Sequence, residues 1–255
     1  MIGFETLNAE EQNRFNRACE KIIGKERVRE SIGTLSEKTV HAVLKNYYEP
    51  DEQYQEVAID GLFADIFNGR EIIEIQTRSF DKVRKKLDRF LPLHPVTVVL
   101  PIADTKWIYW INPETGECSE KRKSPKKGNP YNAFYELYKI KSYLKNPNLT
   151  IKFIFMDMEE YKLLNGWSRD KKRGSTRYDR IPLNITKEYT FSSPLDYMLL
   201  LPENLPDQFT SAELAKLLHI DIRYSRIFLN ILSYLDVVIQ NGKKGNAYIY
   251  KVAVY

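Results

Sequence analysis

Cysteine and histidine are scarce in this chain of 255 residues: there are two cysteines, Cys19 and Cys118, and three histidines, His41, His94 and His219. Two cysteines build neither a disulfide framework nor a zinc cluster, and the histidines stand at no ligand spacing. No apolar run approaches the ~18–20 residues of a membrane span, so no membrane partner is expected. The opening MIGFETLNAEEQNRF is acidic and polar rather than a basic and apolar leader, which predicts a cytoplasmic protein. Also missing are a Walker-type phosphate loop, a nucleophile elbow, a Rossmann glycine fingerprint, internal repeats and low-complexity tracts. What is present is a chain 43% hydrophobic and 29% charged. That is enough apolar material for a real core, which excludes bulk disorder and predicts one large domain or two small ones.

The net charge of +5 conceals an uneven distribution. KVRKKLDR (82–89), KRKSPKK (121–127) and RDKKRGSTRYDR (169–180) together carry a net +13, leaving the other residues at −8. Lysine and arginine gathered in short stretches raise the local potential and displace counterions from a phosphate backbone, which suits a nucleic-acid partner. A solvated, solubilising surface is the competing reading of each run. In the third run Arg173 and Arg177 are candidate phosphate contacts, with Trp167 or Tyr178 available to stack on bases.

Asn8 with Glu11 predicts a capped helix on the stripe Phe15, Ala18, Cys19, Ile22, ended by Gly24. A short helix over 25–32 and another from the cap Ser36 to Tyr47 are expected next. Strands follow at 54–60, 61–67 and 71–77, joined by Asp60-Gly61 and Asn68-Gly69 turns. A basic amphipathic helix at 80–91 leads to VTVVLP (96–101), which reads as a buried central strand. A hairpin over 107–121, a helix over 131–144 and a strand at 151–156 complete an α/β layer on one mixed sheet. Residues 165–182 read as a basic loop. After prolines 194, 202 and 206, Thr210 with Glu213 caps one helix and Asp221 opens another. A strand pair then closes around NGKKGN (241–246). Two helices and a two-stranded wing form a winged-helix pattern, whose second helix can enter a major groove. Arg223, Tyr224, Arg226 and Asn230 are the candidate readers there, and Lys243 and Lys244 on the wing the phosphate contacts. A winged helix used only for protein contact is the alternative.

Alternation places Asp65 on one strand opposite Glu74 on the next, with Gln76 beside them. A glutamate between isoleucines is unusual in a buried sheet. Two carboxylates so placed can hold Mg²⁺, a hard cation that prefers oxygen ligands. Glu37 and His41, at i and i+4 on the preceding helix, can look into the same place. The plain structural reading is polar positions on a half-covered sheet.

The order helix, strand, Asp-bearing strand, strand with Glu-x-Gln, helix over 36–101 resembles the PD-(D/E)XK phosphodiesterase superfamily. The resemblance implies a restriction-endonuclease-like mixed sheet flanked by helices, with Asp65 and Glu74 as metal ligands for Mg²⁺ or Mn²⁺. It also implies a Mg²⁺-dependent endonuclease that cuts phosphodiester bonds. Gln76 stands where lysine is usual, and Glu37 matches a helix glutamate that some members add. Lys82 or Lys85, on the following helix, can reach back to supply the missing ammonium; Lys85 is taken as the candidate. The expected organisation is N-terminal helices at 1–35, a nuclease-like domain at 36–189, and a linker with a winged helix at 190–255. The expected partner is double-stranded DNA, with a homodimer left open. The alternative is a catalytically inactive, nuclease-like DNA-binding or regulatory protein.

Overall fold

The computed structural model describes residues 5–24, 38–77, 79–166 and 176–253. Local signals set the first elements. Asn8 Oδ1 accepts from the Glu11 N–H and Glu11 Oε2 from the Asn8 N–H, both at 2.9 Å. This reciprocal box opens α1 (Ala9–Ile23). The next helix, α2, spans Thr39–Tyr48. Its expected cap Ser36 and the segment 25–32 lie outside the described residues. β1 (Gln55–Ile59) returns as β2 (Leu62–Phe67) through Asp60 and Gly61 at φ 46° and 73°. Positive φ at both central positions is what a tight hairpin of this hand needs. Asn68 Oδ1 then accepts from the N–H groups of Arg70 and Glu71 at 3.0 Å, turning the chain into β3 (Ile72–Ile75).

The main sheet has the order β1-β2-β3-β4-β6-β7, with β5 (Arg122–Lys123) paired beside β4. β4 (Val96–Ile111) lies parallel to both β3 and β6 (Leu149–Leu163), whereas β7 (Thr176–Phe191) closes the far edge antiparallel. Parallel neighbours need crossovers. The first contains a 3-10 turn at Phe80–Lys82 and α3 (Arg84–Phe90). The second contains β5 and α4 (Phe134–Lys139). α1 and α2 bury Phe15, Val43, Leu44 and Tyr47 against one face of the sheet. α3 and α4 bury Val83, Leu87, Phe90, Phe134 and Leu137 against the other.

A second sheet, β8 (Phe209–Thr210), β10 (Ala247–Val252) and β9 (Val238–Lys244), joins α5 (Ser211–Leu217) and α6 (Ile222–Tyr234) at the C-terminal end. Thr210 with Glu213 and the Asp221 side chain cap these helices as expected. The fold is thus a mixed α/β arrangement of two sheets flanked by helices. Phe228 of α6 meets Phe134 edge-on at 4.6 Å and Tyr131 at 5.2 Å, so both parts share one core. Among the described residues no helix is long and apolar enough to cross a membrane.

Four expectations change. The strands expected at 96–101 and 107–111 are one continuous strand, β4. The helix expected over 131–144 is α4 with 3-10 turns at Pro130–Ala133 and Lys141–Tyr143. Within the expected loop 165–182, residues from Thr176 onward are β-strand; Pro182 fits there because β7 is an edge strand and the register shifts beside it. The C-terminal hairpin turns at 245–246, so Lys243 and Lys244 belong to β9 itself.

Candidate active site

The site arises where β2 and β3 part. Their ladder pairs Phe67 with Ile72 and Ile66 with Ile73. On the other side of β2, Glu56 stands at φ 52° between the regular pairs Gln55–Ile66 and Val57–Ala64. Asp65 therefore lies between two irregular neighbours. Ala64 packs with the α3 layer and Ile66 with the α1/α2 layer, although they are two residues apart, so the strand twists at Asp65. Main-chain groups that the ladder no longer serves are taken up by the two carboxylates. The Asp65 N–H donates to Glu74 Oε1 at 3.2 Å and the Ile75 N–H to Asp65 Oδ2 at 2.8 Å.

Burial makes these charges expensive unless they are compensated. Glu74 is 0% exposed and Asp65 8%. The compensation comes from both helical layers. Lys86, on α3, brings Nζ to 2.7 Å from Glu74 Oε2, 3.0 Å from Glu74 Oε1 and 3.5 Å from Asp65 Oδ1. From α2, His41 Nε2 lies 3.1 Å from Asp65 Oδ2. The two carboxylates then behave differently. Burial and the Asp65 charge push Glu74 up to about 7, against the pull of Lys86. Burial also raises Asp65, but the His41 hydrogen bond, the charges of His41 and Lys86 and the Ile75 N–H outweigh it and hold that carboxyl below its ordinary value. Lys86 loses to burial and gains more from Glu74 and Asp65, so its ammonium is held more firmly than usual. One acid is kept ionised beside another poised near neutrality, an arrangement that suits acid–base work.

The pair is chemically suited to a divalent cation. Asp65 Oδ1 and Glu74 Oε2 already converge on one positive centre, the Lys86 Nζ, and Mg²⁺ is commonly held by one or two carboxylates together with water and phosphate oxygens. Among the described residues no group of three or more His, Cys, Asp or Glu could hold a metal ion. The remaining ligands would have to come from solvent, substrate or main chain.

Of the expected site residues, Asp65 and Glu74 are brought together, and His41 joins them. Gln76 directly follows β3, half-buried, with its N–H donating to Val99 O at 2.8 Å. Glu37 lies outside the described residues. Lys85 and Lys82 are exposed, and their neighbour Lys86 is the lysine that reaches the carboxylates. Its signal was present: Lys86 is three residues after Val83 and four before Phe90, on the buried stripe of α3. A lysine on an apolar stripe has an inward partner to find.

In the C-terminal part, Arg226 and Arg223 are exposed, the latter holding Asp221 at 3.0 Å. Tyr224 packs edge-on to Tyr135 at 5.7 Å, and Asn230 accepts from Lys141 Nζ at 3.0 Å. Tyr224 therefore packs on the α/β layer, whereas Asn230 is exposed. Lys243 lies over the Tyr248 ring at 4.8 Å, and Lys244 is exposed on the same strand. Arg177 stands on β7 with Nε 3.6 Å from Glu160 Oε2, whereas Arg173 and Trp167 lie outside the described residues.

Residues 38–192, which span the α/β layer, match the family described as "Domain of unknown function (DUF8091)". A protein of Treponema pallidum (strain Nichols), described as an uncharacterized protein, is 27% identical over 229 residues, 87% of each chain. No solved structure matches the chain.

Proposed function

The chain belongs to the DUF8091 family, and we propose that it is a metal-dependent nuclease of the PD-(D/E)XK type, hydrolysing phosphodiester bonds in DNA. The observation that carries this reading is a pair of buried carboxylates on adjacent strands, Asp65 and Glu74, sharing one lysine from the following helix. The order of elements around them supports it: α2, β1, the Asp-bearing β2, β3 with Glu-x-Gln, then α3. Lys86 supplies the ammonium that Gln76 does not.

Asp65 and Glu74 hold Mg²⁺ or Mn²⁺ in this reading. When bound, such a cation polarises a phosphoryl oxygen, offsets developing charge and lowers the pKa of a water. The protein's own groups do the rest. Lys86 leans toward a non-bridging phosphate oxygen, and the attacking water gives up its proton to solvent. His41 fixes Asp65 Oδ2 and keeps that carboxylate ionised. The water oxygen bonds to phosphorus, one ester P–O bond breaks, and the departing oxygen collects a proton from solvent.

The two helices and hairpin of the C-terminal part are read as a winged helix engaging double-stranded DNA, with Arg223, Arg226, Lys243 and Lys244 at phosphates. Tyr224 and Asn230 are read as its base contacts; Tyr224 also packs on Tyr135, and Asn230 is exposed. Cleavage of plasmid and single-stranded substrates with Mg²⁺ or Mn²⁺ tests the proposal. Glu74→Gln should lower the rate at least a hundredfold; undiminished activity in that variant would falsify the site.

A second reading has its own support: both carboxylates are satisfied within the protein, Glu74 by Lys86 and the Asp65 N–H, Asp65 by the Ile75 N–H and His41. A catalytically silent, nuclease-like scaffold that binds nucleic acid would look the same. It is favoured if the wild type binds DNA and cuts none with either metal.

A further inference from the structure

Beyond the two helical layers, β4, β6 and β7 continue as a three-stranded arm. On one face of it Glu160, 2% exposed, is ringed by Lys106 Nζ at 3.1 Å, Lys162 Nζ at 3.3 Å and Arg177 Nε at 3.6 Å. The surrounding cations hold that carboxyl below its ordinary value despite burial. One carboxylate cannot balance three cations, so two positive charges are left over on side chains that the buried anion has already fixed in place. Lys106 also lines a cleft between β4 and the segment after β5 with Lys126, Lys127, Asn129 and Asn132. Strand alternation puts Trp110 on the Glu160 face, and Lys162 Nζ lies 5.3 Å from the centre of its ring.

This surface runs into the carboxylate site. Arg180, in register with Glu160, donates to the main-chain oxygen of Thr77 at 3.4 Å, one residue beyond Gln76. Lys38 Nζ donates to Tyr178 O at 2.6 Å, and Thr39 hydrogen-bonds to Asp179. These contacts tie the start of α2, the helix that carries His41, to the same strand.

We propose that the Glu160 face of the arm binds single-stranded nucleic acid, with Lys106, Lys162 and Arg177 on its phosphates and Trp110 stacked on a base, and delivers it to Asp65 and Glu74. The delivery rests on the nuclease reading; the binding does not. A base stacks on the Trp110 ring only where that ring's face is not already covered by a neighbouring base. Aromatic stacking beside cations requires bases that are free of the duplex.

The test is fluorescence anisotropy of labelled oligothymidylate, oligouridylate and a matched DNA duplex on the whole chain in EDTA, where binding is read without cleavage. Trp110→Ala and Arg177→Ala should each weaken single-strand binding at least fivefold while changing duplex binding less than twofold. Arg177→Ala should also flatten the salt dependence by about 0.7 in log–log slope. The two single-stranded probes decide between DNA and RNA. Lys162→Met serves as a second probe of the face if Trp110→Ala does not fold by circular dichroism. Single-strand affinity untouched by these changes, or duplex affinity falling equally, overturns the proposal. A chain that binds in this way but never cuts refutes the catalytic reading and leaves this one standing.

Discussion

Replacing Lys86 with methionine keeps the side-chain stem packed on α3 and removes only the ammonium. Glu74, fully buried, then keeps the Asp65 N–H beside a negative neighbour. Breaking a buried ion pair typically costs ~3–5 kcal/mol. The Lys86 side chain is 24% exposed, which reduces the expected loss to ~2–3 kcal/mol, or roughly 5–10 °C in Tm for a chain of this size. Protonation limits the damage. The folded value of Glu74 is raised to about 7, so its protonated form is the favoured one, and its contribution to stability is lost as pH rises from the ordinary carboxylate range through about 7. Lys86→Met deepens that alkaline loss: the full ~2–3 kcal/mol is expected near pH 8.5 and under ~1 kcal/mol near pH 5.5. Urea unfolding at both pH values reads this directly. Adding Glu74→Gln to the variant should restore part of the loss at high pH. A Lys86→Met protein as stable as wild type near pH 8.5, or a double variant weaker than the single one, refutes the reasoning.

Added Mg²⁺ at ten times its Kd should stabilise the wild type by about 1.4 kcal/mol in thermal melts, and Glu74→Gln should abolish the shift. Phe228→Ala, at the join between α6 and α4, should cost ~3–5 kcal/mol by urea unfolding. Arg226→Ala and Lys243→Ala should each lower the duplex salt slope by about 0.9, measured by anisotropy, without altering Tm beyond about 2 °C. Glu188, on β7, has Oε1 buried without a hydrogen-bond partner among the described residues, and burial pushes its carboxyl up against the pull of Lys152. Burial disfavours its charged form, so its contribution fades as pH rises. Glu188→Gln should therefore gain about 1 kcal/mol near pH 8, and lose that advantage near pH 4, in pH-resolved unfolding.

Much of the layer was legible in the sequence because its signals are local. The Asn8–Glu11 box, the Asp60-Gly61 turn and the Thr210–Glu213 box each act within four residues, and each is where the residues put it. Asp65 and Glu74 were legible through strand alternation alone. Lys86 was legible in the same way, three residues after Val83 and four before Phe90, on a stripe that the 3-10 turn at Phe80–Lys82 leaves in phase. Lys85, one position earlier, falls outside that stripe. β7 escaped notice. Its alternation is interrupted by register shifts and by Pro182, features that an edge strand tolerates and a sequence pattern reads as loop. The packing of Tyr224 on Tyr135 depends on α4, a partner nearly a hundred residues away in the chain, which no local pattern can report.

The common core of the two parts bears on how the family could vary. The matched span ends at residue 192, yet Phe134 and Leu137 within it are roofed by Phe228, Leu229 and Leu232 from beyond it. A relative built from the matched span alone would present those aromatic and aliphatic side chains to water. It would have to repack that face with smaller or polar residues, or recruit another chain to cover it. Cutting this protein after the matched span should thus yield an aggregation-prone fragment, and the C-terminal part is as much a lid on the hydrophobic interior as a candidate hand for DNA.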